Sequence, residues 1–176
     1  LILPDSIVEI GDFAFVDCIN MKSLNYGPNL KKIGNRAFQR CRYMGRVNMS
    51  LASSVEFGEF VFAYCTGLSY INFPKAMKAI PNGMFAGCND LNHMDDVFYL
   101  PETIEIIGES AFENMTNVFL KEIYIPASCR IIKRRAFYNC EYLNYLTINE
   151  LDELHSEAFI NHNFYSITYK SDISPI

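Results

Sequence analysis

A phenylalanine followed three residues later by a cysteine occurs five times in this chain, at Phe15/Cys18, Phe38/Cys41, Phe62/Cys65, Phe85/Cys88 and Phe137/Cys140. Phe112 and Phe159 extend the phenylalanine column, with Met115 and His162 in the cysteine slot. Seven units therefore succeed one another at intervals of 23, 24, 23, 27, 25 and 22 residues. One unit of about 20 to 29 residues cannot bury its own apolar side chains and must stack on its neighbours. The expectation is a solenoid rather than a globule with one core centre.

The same grammar recurs inside each unit. A small residue precedes the phenylalanine at Ala14, Ala37, Ala111, Ala136 and Ala158, and five residues before it stands Ile10, Ile33, Phe57, Ile80, Ile107, Ile132 or Leu154. Glycine follows that apolar residue in four units, as Gly11, Gly34, Gly58 and Gly108. After the cysteine slot comes a run of the form L-x-x-I-x-I, as in Met21/Leu24/Tyr26, Met44/Val47/Met49, Leu68/Ile71/Phe73 and Leu143/Leu146/Ile148. Its final alternation has period two and predicts a short strand with one buried face. Proline closes several of these runs, at Pro4, Pro28, Pro74, Pro101 and Pro126, and withholds a donor from further ladder pairing.

The pattern I-P-x-x-V-x-x-I-G-x-x-A-F-x-x-C-x-x-L, spread over essentially the whole chain, resembles the BspA-type leucine-rich repeats of bacterial and protozoan surface proteins. The resemblance implies a strand-rich α/β solenoid, a right-handed, horseshoe-like leucine-rich-repeat superhelix. Short parallel strands would line its concave face, with turns and short helical or strand pieces on the other side. Residues 1–176 would form one such solenoid of about seven repeats, 22–27 residues each. Four extra residues between Met94 and Pro101 place the fourth strand at Phe98 to Leu100, and about two more lie around Asn117 to Leu120. The last unit carries His155 in place of the glycine and His162 in place of the cysteine. Leu1-Ile2-Leu3-Pro4 reads as the strand of a unit whose beginning is missing, so the chain is expected to be a fragment of a longer protein.

The cysteine column, Cys18, Cys41, Cys65, Cys88 and Cys140, invites three readings. Parallel stacking points neighbouring Cβ atoms the same way, whereas a disulfide needs a crossed dihedral. A metal needs four converging ligands, and a column offers at most two neighbours at any height. The preferred reading is buried free thiols packed as small hydrophobes, donating weakly to turn carbonyls. Cys129 stands in a different column, with Ile7, Val55 and Ile104. His93 lies beside Asp95 and Asp96 in the insertion, with no Ser or Cys nucleophile placed near it by sequence. There is no nucleophile elbow, phosphate loop or zinc-protease motif, so neither a catalytic site, a metal nor a cofactor is expected.

Composition narrows the partner class. The net charge is −5, with 15 Lys and Arg against 20 Asp and Glu, which speaks against a nucleic-acid binder. No run of apolar residues approaches a membrane span. Lys31, Lys32, Arg36, Arg40, Arg42 and Arg46 make the second unit basic, and the segment from Asp90 to Glu113 is acidic without a cation.

Side chains alternate along a strand, so the outward positions can be read down the repeats. They include Arg46, Asn48, Tyr70, Asn72, Tyr99, Tyr124 and Tyr145, and the last five would form a patch along the middle of the sheet. Tyrosine offers large contact area with a polar tip at low entropic cost, which suits recognition; tyrosine is also simply a good strand former. The expectation is a non-enzymatic scaffold that binds a protein ligand, and the resemblance implies a cell-surface or secreted adhesion or recognition role. The alternatives are an intracellular interaction or regulatory module attached to a catalytic domain elsewhere, and a spacer stalk.

Overall fold

The computed structural model describes residues 1–91, 97–117 and 120–161, together with the backbone of 166–169. Short strands alternate along the chain between two faces. The odd-numbered strands have two residues each: β1 (Glu9–Ile10), β3 (Lys32–Ile33), β5 (Glu56–Phe57), β7 (Ala79–Ile80), β9 (Ile106–Ile107), β11 (Ile131–Ile132) and β13 (Glu153–Leu154). The even-numbered ones have three or four: β2 (Ser23–Asn25), β4 (Arg46–Asn48), β6 (Tyr70–Asn72), β8 (Val97–Tyr99), β10 (Glu122–Tyr124), β12 (Tyr145–Ile148) and β14 (Ser166–Tyr169). Every pairing is parallel and joins one turn of the coil to the next. The result is a parallel β-solenoid. Strand β8 begins at Val97, one residue earlier than the sequence suggested, and its buried residue is Phe98.

The helical component of the expected α/β class is not found: among the described residues there is no helix. The backbone explains why. The segment around each of the first six column phenylalanines carries left-handed residues two before and two after it: Phe13 and Asp17, Arg36 and Arg40, Phe60 and Tyr64, Gly83 and Gly87, Ser110 and Asn114, Arg135 and Asn139. A left-handed residue every fourth position prevents a right-handed helix from propagating. The amide groups turn instead toward the next coil. Phe60 N–H donates to Asn82 O at 2.8 Å, Phe62 N–H to Met84 O at 3.1 Å and Tyr64 N–H to Ala86 O at 2.7 Å. Three such bonds recur at most turns and make a third inter-turn ladder, which satisfies backbone donors that a helix would have used internally.

Between the ladders lies one continuous apolar core. The phenylalanine rings stack face to face through the coil, at 5.2 Å from Phe15 to Phe38, 5.6 Å to Phe62, 6.2 Å to Phe85, 5.5 Å to Phe112, 5.2 Å to Phe137 and 5.3 Å to Phe159. Leu24, Val47, Ile71, Phe98, Ile123 and Leu146, the middle residues of the even strands, are buried against them. Each such side chain contributes roughly 1.5–3 kcal/mol when fully removed from water.

Both faces are interrupted at the same height. The even strands form two sheets, β2-β4-β6 and β8-β10-β12-β14, and the odd strands form β1-β3-β5 and β7-β9-β11-β13. On the odd face one residue withholds a donor. The amide after the apolar strand residue donates to the preceding turn at Gly34 to Ile10 O, Gly58 to Ile33 O and Gly108 to Ile80 O, each at 2.8 Å. Pro81 occupies that place after Ile80 and has no N–H to offer to Phe57 O.

Candidate functional site

The even face places the sequence-derived residues in register. Ser23, Arg46 and Tyr70 are cross-strand neighbours, as are Asn25, Asn48 and Asn72. On the second sheet Val97, Glu122 and Tyr145 align, and so do Tyr99, Tyr124 and Thr147. All of these point away from the core, because the residue between each pair is the buried one.

The two halves of this face differ in chemistry. On β4 and β6, Asn72 accepts from the Tyr70 hydroxyl at 2.7 Å through Oδ1 and donates to Asn48 Oδ1 at 3.5 Å through Nδ2. Asn48 Oδ1 also accepts from Ser50 N–H at 3.1 Å. These contacts hold an amide-rich platform in place, bordered by the exposed Arg46, which pairs with no carboxylate among the described residues. On β8, β10 and β12 the platform is aromatic. The rings of Tyr99 and Tyr124 lie 5.6 Å apart at 40°, and Tyr145, on β12, is exposed. The residues of the tyrosine patch read from the sequence fall on two of the sheets. Tyr70 and Asn72 lie on one sheet and Tyr99, Tyr124 and Tyr145 on the other.

Four members of the cysteine column lie in the core. Cys41, Cys65, Cys88 and Cys140 are buried, Cys18 is exposed, and all six cysteines are free thiols. Cys41 Sγ donates to Phe15 O at 3.1 Å, Cys65 Sγ to Phe38 O at 3.0 Å, Cys88 Sγ to Phe62 O at 3.1 Å and Cys140 Sγ to Phe112 O at 3.1 Å. Burial pushes the Cys88 and Cys140 thiols up to about 12 and Cys129 up to about 11, so these sulfurs stay protonated and unreactive at neutral pH.

Of the histidines, His155 Nδ1 accepts from Glu157 N–H at 3.1 Å and fixes a local turn. His93, Asp95, Asp96 and His162 lie outside the described residues. Among the described residues no three His, Cys, Asp or Glu side chains converge as a metal would require, and no helix is long and apolar enough to cross a membrane.

A feature of the turn edge was not anticipated. The Arg36 guanidinium sits between two aromatic faces, 5.8 Å from the Phe13 centroid and 5.3 Å from that of Phe60. A shallow cleft there is lined by Phe13, Asn35, Arg36, Glu59 and Phe60. The 23- and 24-residue spacings of these three positions were visible, but their outward direction depends on the left-handed backbone. Arg36 thus bridges rings of the turns before and after its own, so the stack reads as turn-to-turn packing. Several other charges pair between turns. Arg40 clamps Asp17 at 2.6 Å through both Nε and Nη2, Arg130 reaches Asp152 at 2.6 Å, and Arg135 reaches Glu113 at 2.6 Å. Exposed pairs of this kind add little stability individually.

Parallel strands of two to four residues, one per turn on each face, around stacked columns of Leu, Ile and Phe define a leucine-rich-repeat solenoid. The family assignment is more particular. The model of the BspA type leucine rich repeat region matches in six copies over residues 1–118 and 96–176, and the chain belongs to that family. Solved structures share the fold. A leucine-rich repeat protein of T. pallidum superposes with a TM-score of 0.72 at 22% identity, over 96% of this chain and 72% of that one. A leucine rich cell surface protein of Faecalibacterium prausnitzii A2-165 gives 0.69 at 20% identity, over 97% of this chain and 47% of its own. A leucine-rich repeat protein of Bacteroides ovatus gives 0.57 at 21% identity, over 97% and 55%. The chain thus spans about half the length of the latter two. No curated protein sequence matches it.

Proposed function

We propose that the chain is a non-enzymatic protein-recognition scaffold of a cell-surface or secreted protein, and that it engages its partner through the even face. The carrying observation is the aromatic platform: Tyr99 and Tyr124 within 5.6 Å of each other, with Tyr145 on the following strand. Large rings presented from hydrogen-bonded strands lose little conformational entropy on binding. Arg46, Asn48, Tyr70 and Asn72 supply directional polar contacts on the neighbouring sheet. The partner is taken to be a protein rather than a nucleic acid, consistent with the net charge of −5. The surface location is supported by family membership and by the cell-surface description of the Faecalibacterium neighbour. In this reading the coil winds right-handed with the even face on its concave side, as the family resemblance implies.

The test is capture. Immobilised protein is exposed to surface proteins released from a neighbouring or host cell, and retained species are identified by mass spectrometry. The variant Tyr99→Ser/Tyr124→Ser/Tyr145→Ser should lose the species that the parent retains while keeping its melting temperature within a few degrees. Unchanged capture of that species by a folded triple variant would remove the even face as the recognition surface.

A further inference from the structure

We propose that the basic corner beside β2 and β4 docks a short acidic segment of the partner protein, with Arg42 and Arg46 as its carboxylate anchors. This rests on the even face being the recognition surface and names the chemistry that its first sheet selects. Every other arginine of the chain has a partner. Arg40 clamps Asp17 at 2.6 Å, Arg130 reaches Asp152 at 2.6 Å, Arg134 reaches Glu157 at 3.0 Å and Arg135 reaches Glu113 at 2.6 Å, while Arg36 lies between the Phe13 and Phe60 rings. Arg42 and Arg46 are exposed and have neither a carboxylate nor a ring partner among the described residues.

The sequence withholds that partner over the whole first sheet of the even face. Residues 18–55, which carry β2 and β4, contain no Asp or Glu, and residues 60–89, which carry β6, contain none either. Strand β4 is paired on both sides, so the neighbours of Arg46 are Ser23 and Tyr70, and both are neutral. Lys22 joins the same corner, because Gly45, the residue before Arg46, donates its N–H to Lys22 O at 2.8 Å. Like charges held on adjacent strands repel one another, and an incoming carboxylate relieves that repulsion.

The surroundings suit a peptide. A guanidinium offers a planar fork that matches a carboxylate with two parallel hydrogen bonds. Asn48 stands on the same outward side as Arg46, two residues along β4. Its Oδ1 accepts from Ser50 N–H and Asn72 Nδ2, and its own Nδ2 makes no bond among the described residues, which leaves an amide donor for a peptide carbonyl. Exposed Tyr43 and Ile19 are joined by Tyr43 N–H to Ile19 O at 3.2 Å and add apolar contact beside the cations. Arg and Tyr are the residue types that most often dominate an interface. The window is also short. Residues 1–17 hold Asp5, Glu9, Asp12 and Asp17 without a cation, and residues 90–120 are likewise acidic without a cation. A long polyanion would meet repulsion on either side of a basic window about 10 Å across, the span of β2, β4 and β6.

Fluorescence anisotropy of a short dye-labelled peptide of alternating Glu and Ser, with the Gln and Ser peptide as control, tests the corner on the intact chain. The Glu peptide should bind more tightly than the Gln peptide and should weaken as salt is raised. Lys22→Ser/Arg42→Ser/Arg46→Ser should weaken it about tenfold at an unchanged melting temperature. Lys31→Ser/Lys78→Ser/Lys133→Ser removes the same charge from the odd side and should change it by less than about twofold. Equal losses in the two variants, equal binding of the two peptides or no binding of the Glu peptide would each overturn the proposal. So would retention of heparin at this corner without the peptide, which would assign it to a sulfated polysaccharide. In the capture experiment, a species lost by the Tyr99, Tyr124 and Tyr145 variant but retained in full by the Lys22, Arg42 and Arg46 variant would sink the acidic segment and leave the aromatic platform standing.

Discussion

The thiol of Cys88 donates to the carbonyl oxygen of Phe62, one turn earlier, at 3.1 Å, and that same oxygen accepts the N–H of Cys65 at 3.1 Å. The phenylalanine carbonyl is thus a two-acceptor hub, filled by the cysteine amide of its own turn and the cysteine thiol of the next. Phe38 O repeats the arrangement with Cys41 N–H at 3.2 Å and Cys65 Sγ at 3.0 Å. This gives the Phe-x-x-Cys spacing a physical cause: the cysteine is small enough to be buried and still supplies a donor. Cys88→Ala should lower stability by about 1–3 kcal/mol through the lost bond and lost volume. Cys18→Ala, whose sulfur is exposed, should change it by less than about 0.5 kcal/mol. Urea denaturation of the two variants checks the contrast, and equal effects would contradict the hub.

Buried thiols also set an alkaline limit. The ordinary value for the group is 9.0, and burial raises Cys88 and Cys140 to about 12 and Cys129 to about 11. Burial likewise holds Tyr26 well above the usual phenol range. A folded-state value above the unfolded one means that the unfolded chain releases the proton first. The stabilisation is complete below about pH 9 and is lost as pH climbs toward the folded values, at up to about 1.4 kcal/mol per pH unit for each thiol. The urea midpoint should therefore fall steeply above about pH 9. Combining Cys88→Ala with Cys140→Ala should flatten that slope; an unaltered slope would assign the alkaline loss elsewhere.

The ring stack makes position along the coil matter. Phe85 is fully buried, with Phe62 and Phe112 stacked at 6.2 and 5.5 Å and Phe73 and Phe98 edge-on at 6.0 and 6.3 Å. Phe85→Ala should cost about 3–5 kcal/mol by leaving a cavity. Phe159 is only half-buried and should cost clearly less. Equal shifts in thermal midpoint would contradict the stacking register.

The residues that repeat were legible because they are the ones the coil buries. The Phe, Leu and Ile columns, the outward set from Ser23 to Thr147 and the strand positions all follow from period and alternation. The ladder at the turn edge was not legible, since residue type does not announce a left-handed backbone that Phe13, Arg36, Phe60 and Arg135 adopt alongside Gly83. The family resemblance implies turns and short helical or strand pieces on that side, and the described residues there form turns and two-residue strands. The break in the odd face had a visible marker in Pro81, standing where four other units have glycine. Its meaning required knowing that this position donates its N–H to the preceding turn, as Lys133 and His155 also do. The placement of the tyrosines on two sheets had a marker too, in the extra residues before Pro101.

Tyr26 sits in the column of Met49, Leu100, Ile125 and Ile148 and packs edge-on to Phe38 at 6.4 Å, yet its buried hydroxyl has no partner among the described residues. An unsatisfied buried hydroxyl costs about 1–3 kcal/mol relative to its solvated state. Tyr26→Phe removes it while keeping the ring, so the thermal midpoint should rise. A fall would mean that the hydroxyl is satisfied in solution.

Gly83 tests the turn geometry most sharply. Its φ is +60°, and a Cβ built on it would collide with the ring of Phe60, which lies flat over the glycine in the preceding turn. At Gly87, φ +68°, a Cβ would stand 2.6 Å from the ring of Tyr64. Gly83→Ala must both hold a left-handed conformation, at about 1–2 kcal/mol for a residue with a Cβ, and displace an aromatic ring. Gly11 offers the control, because a Cβ there meets nothing within 4 Å and its φ is not left-handed. Gly11→Ala should be neutral or slightly stabilising through the restricted unfolded chain, whereas Gly83→Ala should lower the thermal midpoint by several degrees. In the double variant Gly83→Ala/Phe60→Ala the clash is relieved and only the backbone term remains at Gly83, so the two substitutions should be less than additive. Strict additivity would show that the Phe60 ring does not rest on the glycine.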